Sequence, residues 1–256
     1  MTRERERNLV IDPILPYDLP PPVKAQLLEL AARSDLLLLG EMHGTQEVPR
    51  LVLGLLDDLA ALGYGGLALE LPRGEESQLV QWAGNKGDPP PFFGPAEFRD
   101  GRGNAQALSL IRQTLDHPQG WKLHCFDVDS LGEGETWADR DRHMAANLTE
   151  QWQERCAGRK VVAICGNYHS RLVAPAKPDS GPWPSFGYDV QQLRPGLAVN
   201  SVNIVFQRGA FFNGEVRKFD IGAEHFAATA EVRRPGSFGH TANLYLPHAT
   251  PVTFMA

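Results

Sequence analysis

A Gly-x-x-His pattern occurs twice in this chain, each time directly after a short apolar run. Residues 40–43 read GEMH and follow "DLLLL", and residues 166–169 read GNYH and follow "VVAIC". We expect the glycine to let the backbone turn sharply, so that the histidine points into a cleft rather than into a sheet. Two imidazoles and a carboxylate that face one space can act as general base and orienting acid for a water molecule, or they can bind a divalent metal ion. The spacing alone leaves both readings open.

Polar side chains stand where four predicted strands end. Ligands bind outside the carboxyl ends of the strands in open parallel α/β sheets, so these side chains should collect at one rim. The residues concerned are Glu41 and His43 after the first strand, Glu70 at the end of the second, Asp127 at the end of the third, and Asn167, Tyr168 and His169 after the fourth.

The elements that would position these residues alternate along the chain. Short apolar runs at 35–40, 66–72, 121–129 and 160–166 predict strands, and apolar residues at helical spacing predict helices at 23–34, 47–62, 74–86, 104–117 and 137–156. Later strands are predicted at 199–212 and 243–248. This alternation predicts an α/β fold with a mostly parallel central sheet flanked by helices and an active-site cleft at the C-terminal ends of the strands.

The length of 256 residues suits one α/β domain spanning residues 1–256. Residues 1–21 are expected to form an extended N-terminal arm, because the stretch 11–21 contains four prolines. Residues 87–103 contain four prolines and four glycines and are expected to form a lid-like loop.

Composition and charge narrow the possible partners and location. The formal net charge is −6 and no basic stripe follows the N-terminal "TRERERN", so we expect no nucleic-acid partner. No run of roughly 20 apolar residues and no signal-peptide pattern occurs, which predicts a cytoplasmic protein with no membrane partner. The three cysteines show no C-x-x-C spacing, which argues against a disulfide framework or a thiolate zinc site.

Four blocks between residues 35 and about 212 resemble erythromycin esterase-like proteins, a group that shares a superfamily with ChaN-like haem-binding, TraB and Tiki proteins. Residues 36–72 resemble the first motif block of the group. "DRDRHMAANL" at 139–148 is similar to its R-D-x-x-M-A-x-N helix, and "AICGNYHSRL" at 163–172 is similar to its G-x-x-H block. Residues 185–212 resemble the stretch that follows.

The resemblance implies an α/β fold and three kinds of chemistry. In the esterases a Glu/His pair activates water against an ester, which carries over to Glu41 and His43 as catalytic residues, with Glu70 and His169 beside them. In Tiki-type relatives the paired histidines and a glutamate hold a divalent metal such as manganese or zinc, so Glu41, His43 and His169 are the alternative ligands.

The ChaN-like relatives imply a third alternative, a haem-binding protein. Its axial ligand would be Tyr168 or His169, with an apolar wall from Phe92, Phe93 and Trp183. The favoured interpretation is a hydrolase of a small molecule that uses no cofactor.

The helix predicted at 137–156 should present Arg140 and Met144 on one face, since the two residues are four apart. On the cleft side, Arg140 would hold Glu70 or Asp127 through two parallel hydrogen bonds, or meet a substrate anion. The alternative is a surface arginine paired with Asp139 or Asp141. With Arg140, the other expected substrate contacts are Arg73, Asp127, Asn167 and Tyr168.

Overall fold

A central β-sheet organises the structure, which is a computed structural model describing residues 13–85, 90, 93, 100–156, 158–174, 185–222 and 229–254. Within these ranges the sheet has eight strands: β1 Leu36–Glu41, β2 Tyr64–Pro72, β3 Lys122–Asp127, β4 Lys160–Gly166, β5 Val199–Phe212, β6 Val216–Asp220, β7 Glu231–Arg233 and β8 Ala242–Ala249. Their order is β3-β2-β4-β1-β5-β8-β7, and β6 pairs with β5. The first six strands of that order run parallel, whereas β6 and β7 are antiparallel to their partners. The predicted mostly parallel sheet is therefore confirmed.

Helices cover both faces of this sheet. They are α1 Pro21–Ala32, α2 Glu47–Ala61, α3 Glu76–Asn85, α4 Ala105–Leu115, α5 Trp137–Arg155 and α6 Phe186–Leu193, with a 3-10 turn at Arg73–Glu75. Successive side chains of a strand point to opposite faces. Accordingly, Leu37 and Leu39 of β1 pack in the core cluster that contains α1 to α4, whereas Leu36 and Leu38 pack in the cluster that contains α5 and α6. This explains why β1 is a continuous apolar run, as strands covered on both faces are.

Local capping interactions fix where the two helices nearest the site begin. The side chain of Asn104 accepts a hydrogen bond from the backbone N–H of Ala107 and starts α4. Thr136 and Asp139 form a capping box that starts α5 at Trp137. Both helices therefore begin just after loops that reach the strand ends.

The predicted helices and strands are confirmed in order through β4, with ends shifted by a few residues. The helix predicted at 23–34 begins earlier, at Pro21, because proline suits the first turn of a helix. Three short elements, α6, β6 and β7, were not predicted. No helix of the described ranges combines the length and the apolar character needed to cross a membrane.

The two predicted irregular segments fall partly outside the described residues. Residues 13–20 carry no regular secondary structure, and residues 1–12 are not described. In the predicted lid, Phe93 is buried in the cluster that contains α1 to α4 rather than facing solvent. Phe92 lies outside the described residues.

Candidate active site

The C-terminal ends of β1 to β4 bring the predicted polar residues together. Glu41 ends β1 and aligns with Gly166, which ends β4, while Glu70 and Asp127 lie near the ends of the neighbouring strands β2 and β3. A cleft of ≈ 610 Å³ opens at this rim. Its lining includes His43, Glu70, Arg102, Asp127, Arg140 and His169. The prediction that polar groups of four strands share one rim is confirmed.

Glu41 and His43 form a carboxylate–imidazole pair. The Nδ1 atom of His43 lies 2.9 Å from Oε1 of Glu41. A carboxylate only accepts, so Nδ1 carries the proton and Nε2 is left facing Oε2 of Glu70, 3.7 Å away. Burial lowers the pKa of His43, but the charge of Glu70 and the hydrogen bond and charge of Glu41 outweigh burial, so the pKa is raised above its ordinary value. This arrangement orients the ring and stabilises its protonated form.

His169 forms a second carboxylate–imidazole pair, but here both ring nitrogens have partners. Its Nδ1 atom lies 2.7 Å from Oδ1 of Asp141, and its Nε2 atom lies 3.1 Å from Nη1 of Arg140. A guanidinium group only donates, so Nε2 accepts and Nδ1–H donates to Asp141. Asp141 is fully buried and also accepts hydrogen bonds from the backbone N–H groups of Ser185 and Phe186, where α6 begins. Both nitrogen atoms of His169 are therefore occupied.

Between the two imidazoles lies what we call the ion-pair cluster, made of Glu70, Asp127, Arg102 and Arg140. Arg140 binds Asp127 with two hydrogen bonds, Nε to Oδ1 at 2.9 Å and Nη2 to Oδ2 at 2.6 Å. Its Nη2 atom also donates to Oε1 of Glu70 at 2.8 Å. The predicted cleft-side orientation of Arg140, with two hydrogen bonds to a carboxylate, is confirmed.

Glu70 is the most enclosed member of the ion-pair cluster, with a side chain only 3% exposed. Besides Arg140, it accepts hydrogen bonds from Nη1 of Arg102 at 3.1 Å and from the backbone N–H of Gly166 at 2.8 Å. Burial raises its pKa, but the surrounding imidazole and guanidinium groups outweigh burial and hold the pKa well below its ordinary value. Glu70 is therefore ionised at neutral pH.

Arg102 also lies in the candidate site, although the sequence did not predict it. Its Nη1 atom donates to Oδ2 of Asp127 at 2.8 Å and its Nε atom donates to Oδ2 of Asp100 at 2.8 Å. The neighbouring Gly101 has φ +84° and lies so close to Gly44 that an added Cβ would be 2.7 Å from the Gly44 Cα. The two glycines of the sequence "GRGN" just before α4 are the signal that could have indicated a tight turn there.

The glycines of the two Gly-x-x-His patterns make room for neighbouring side chains. The predicted turn follows Gly166, where the backbone N–H of His169 donates to the Gly166 carbonyl at 2.9 Å, but not Gly40, because β1 continues to Glu41. A Cβ at Gly40 would lie 2.2 Å from Ser170 Oγ, and one at Gly166 would lie 2.9 Å from Nε2 of His43. Real Cβ atoms do not approach other atoms this closely, so glycine makes room for side chains at the strand ends.

Comparison with known proteins indicates a shared fold. No protein-family model and no curated protein sequence matches this chain. Among solved structures, a succinoglycan biosynthesis protein superimposes with a TM-score of 0.67 at 10% identity, covering 95% of this chain and 94% of that one.

A mutant of the erythromycin esterase EreC, in its open conformation, superimposes with a TM-score of 0.54 at 11% identity, covering 94% of this chain and 81% of the esterase. This chain shares its fold with an erythromycin esterase. The type III effector HopBA1 also matches, with a TM-score of 0.52 at 14% identity and coverage of 93% and 99%. Identities this low show the fold alone.

Three of the expected substrate contacts do not line the cleft. Arg73 donates from Nη1 to Oδ1 of Asn147 at 3.0 Å and to Oε2 of Glu150 at 2.7 Å. These two residues of α5 hold its side chain outside the cleft. Asn167 and Tyr168 line a second cavity instead, whereas the next residue, His169, lines the cleft. Asp127 and Arg140 do line the cleft.

The alternative metal ligands do not fit a metal ion. Across the described ranges, no group of three His, Cys, Asp or Glu side chains has an arrangement that could hold one. Nδ1 of His43 is bound to Glu41, and Nε2 of His169 accepts from Arg140. Arg140 next to His169 and Arg102 next to Glu70 also place positive charge among these side chains, which disfavours a cation there.

The residues proposed for haem are dispersed. Tyr168 lines the second cavity whereas His169 lines the cleft, and Phe93 is buried in the core. Trp183 lies outside the described residues. The haem alternative stays untested.

Because Glu70 is buried among charged partners, replacing it should strongly lower the stability of the fold. Glu70→Gln keeps the shape of the side chain but leaves two buried guanidinium groups without their shared charge, and it should lower the free energy of unfolding in urea at pH 7 by about 3–5 kcal/mol. Because the folded-state pKa of Glu70 is lowered, its stabilisation is present at neutral pH and is lost only as the pH falls through that lowered pKa. The matched control is Glu150→Gln, which removes an exposed partner of Arg73 and should change the free energy by less than about 1 kcal/mol. Equal effects of the two variants would contradict the central role of Glu70.

Proposed function

We propose that this protein is a hydrolase that activates a water molecule with His43 and directs it at an ester of a small molecule. The observation that carries the proposal is the hydrogen bond from Nδ1 of His43 to Glu41, which leaves Nε2 available in the cleft. A general base needs a fixed ring, an acceptor atom that faces the substrate, and a pKa near the working pH. The fold shared with an erythromycin esterase supports ester hydrolysis in particular.

The proposed reaction moves one proton through Nε2 of His43. Neutral His43 takes a proton from water as the water oxygen forms a bond to the ester carbonyl carbon. The resulting imidazolium is stabilised by Glu41 and Glu70, the same carboxylates that raise its pKa. When the tetrahedral intermediate collapses, the bond to the alcohol oxygen breaks and the imidazolium returns the proton to that oxygen. The enzyme ends as it began, and one ester has become an acid and an alcohol.

Negative charge that develops on the carbonyl oxygen needs a positive group or a donor beside it. Arg102 lines the cleft next to Glu70 and Asp127, and we assign it this role. His169 acts differently from His43. Because Nε2 of His169 accepts from Arg140 and Nδ1 donates to Asp141, His169 is a positioning residue for the ion-pair cluster.

We propose that the reaction uses neither a metal ion nor another cofactor. The support is that Nδ1 of His43 is bound to Glu41, that both ring nitrogens of His169 are occupied, and that Arg102 and Arg140 lie among the carboxylates. The substrate is proposed to be a small molecule, since the cleft of ≈ 610 Å³ falls in the range of roughly 300–1,000 Å³ that such sites occupy.

The direct test measures ester turnover with 4-nitrophenyl acetate, butyrate and octanoate. Wild-type protein should hydrolyse at least one of them, and His43→Gln should lower kcat/KM by about 10²–10⁴-fold, the usual contribution of a general base. The matched control is His143→Gln, since His143 is an exposed histidine paired with Glu135 on the surface. It should leave kcat/KM unchanged. No turnover by the wild type, or equal losses in the two variants, would contradict the proposal.

The pH dependence tests the Glu41–His43 pair separately. Only neutral His43 accepts a proton, so kcat/KM should fall at acidic pH with a midpoint above about 6.5, the ordinary histidine value. Glu41→Gln keeps an oxygen that accepts from Nδ1 but removes the charge, so the midpoint should move to lower pH. Glu135→Gln changes the surface Glu–His pair in the same way and should leave the midpoint in place. An unchanged midpoint in Glu41→Gln would rule out this pair as the base.

Metal removal tests the cofactor proposal. Protein purified without a histidine tag, treated with EDTA and dialysed, should keep its full rate, and adding manganese or zinc should not increase it. Loss of activity on chelation that either metal restores would show that the metal-free mechanism is wrong.

A further inference from the structure

A second cavity, of ≈ 600 Å³, lies beside the catalytic loops and shares no lining residue with the cleft. Met42 and Tyr168 line this cavity, whereas their chain neighbours His43 and His169 line the cleft. Its volume again falls within the roughly 300–1,000 Å³ of small-molecule sites. Nothing in the proposed hydrolysis uses it.

A buried side-chain amide oxygen at this cavity lacks a hydrogen-bond partner. Asn203 of β5 is 6% exposed and lines the cavity, and its Oδ1 atom has no hydrogen-bond partner in the described structure. Its neighbour Val202 packs in the core cluster that contains α1 to α4, and Ile204, which belongs to the same cluster, also lines the cavity. Buried polar atoms in native folds nearly always have a partner, so Oδ1 of Asn203 is able to accept a hydrogen bond from a molecule in the cavity.

Aromatic side chains form the mouth of the cavity. Phe238 is 73% exposed and has φ 53°, a left-handed conformation that is unusual for a bulky residue. Tyr168 is 49% exposed, and the guanidinium carbon of Arg171 lies 4.4 Å from its ring centroid and 5.5 Å from that of Phe238. The described lining contains no carboxylate, so the charge at this cavity is positive. These features suit a flat apolar ring without a positive charge.

We propose that this cavity binds a flat aromatic molecule, uncharged or anionic, that donates an N–H or O–H hydrogen bond to Oδ1 of Asn203. The aromatic rims of Tyr168 and Phe238 contact the ring, and Asn203 selects the donor. The site does not depend on the hydrolytic activity, so a failed esterase assay leaves it standing.

Indole tests the proposal, because it is a flat neutral ring with a single N–H donor. Titration into the full-length protein, followed by ¹H–¹⁵N NMR, should shift resonances of residues around the second cavity. 1-Methylindole has the same ring without the donor and should bind about 10-fold more weakly. Tryptamine, which carries a positive charge, should also bind more weakly than indole. Equal affinities of indole and 1-methylindole, or shifts confined to the cleft, would overturn the proposal.

Three variants separate recognition from folding. Asn203→Leu removes the acceptor at similar size, so indole should bind only as weakly as 1-methylindole does, while the Tm stays equal or rises because no unpartnered amide remains buried. Phe238→Ser changes an exposed residue and should weaken both indoles alike. His43→Gln should leave both affinities unchanged. A lower Tm in Asn203→Leu with an unaltered preference for indole would show that Asn203 is only structural.

Discussion

A buried carboxylate, that of Glu70, is the group on which the geometry of the cleft depends. Removing a charge from water costs several kcal/mol unless donors and opposite charges surround it. Here the donors come from separate parts of the chain: Arg102 from the loop before α4, Arg140 from α5, and the backbone N–H of Gly166 from the end of β4. One carboxylate thereby ties a loop, a helix and two strands together at the rim. Loss of that charge would leave Arg102 and Arg140 with fewer anionic partners at the rim.

Two similar motifs next to this carboxylate differ in one contact. Each Gly-x-x-His pattern supplies an imidazole whose Nδ1 atom is bound to a carboxylate, Glu41 for His43 and Asp141 for His169. The difference lies at Nε2. For His169 this atom accepts from Arg140, whereas for His43 it faces Oε2 of Glu70 at 3.7 Å, beyond hydrogen-bonding distance. Arg140 is therefore the contact that distinguishes the two imidazoles, and on it rest the different roles proposed for them.

The sequence predicted the parts of this structure that follow from periodicity and from the rule for strand ends. β1 to β4 are apolar runs, and the positions where they stop mark Glu41, Glu70 and Asp127 without further information. Arg140 was predictable because helical spacing and the resemblance placed it beside a carboxylate. Arg102 was not, since its position depends on a loop whose path is set by the contact between Gly101 and Gly44, residues far apart in the chain. The directions of Tyr168 and Arg73 were missed for a related reason, because residues in a turn have no fixed period.

Sheet order explains why two different cavities meet at the same strand. β1 lies between β4 and β5, and Gly40 aligns with Cys165 on one side and with Asn203 on the other. On the β4 side, the next strands β2 and β3 carry Glu70 and Asp127 at or near their C-terminal ends, so charged side chains line the cleft there. On the β5 side the strand continues to Phe212, well past the end of β1, and Asn203, Ile204, Val205 and Phe206 contribute to the second cavity. The loop after β1 spans the boundary, with Met42 in one cavity and His43 in the other. A ligand of the second cavity would therefore contact the residue next to His43, the base of the proposed hydrolysis.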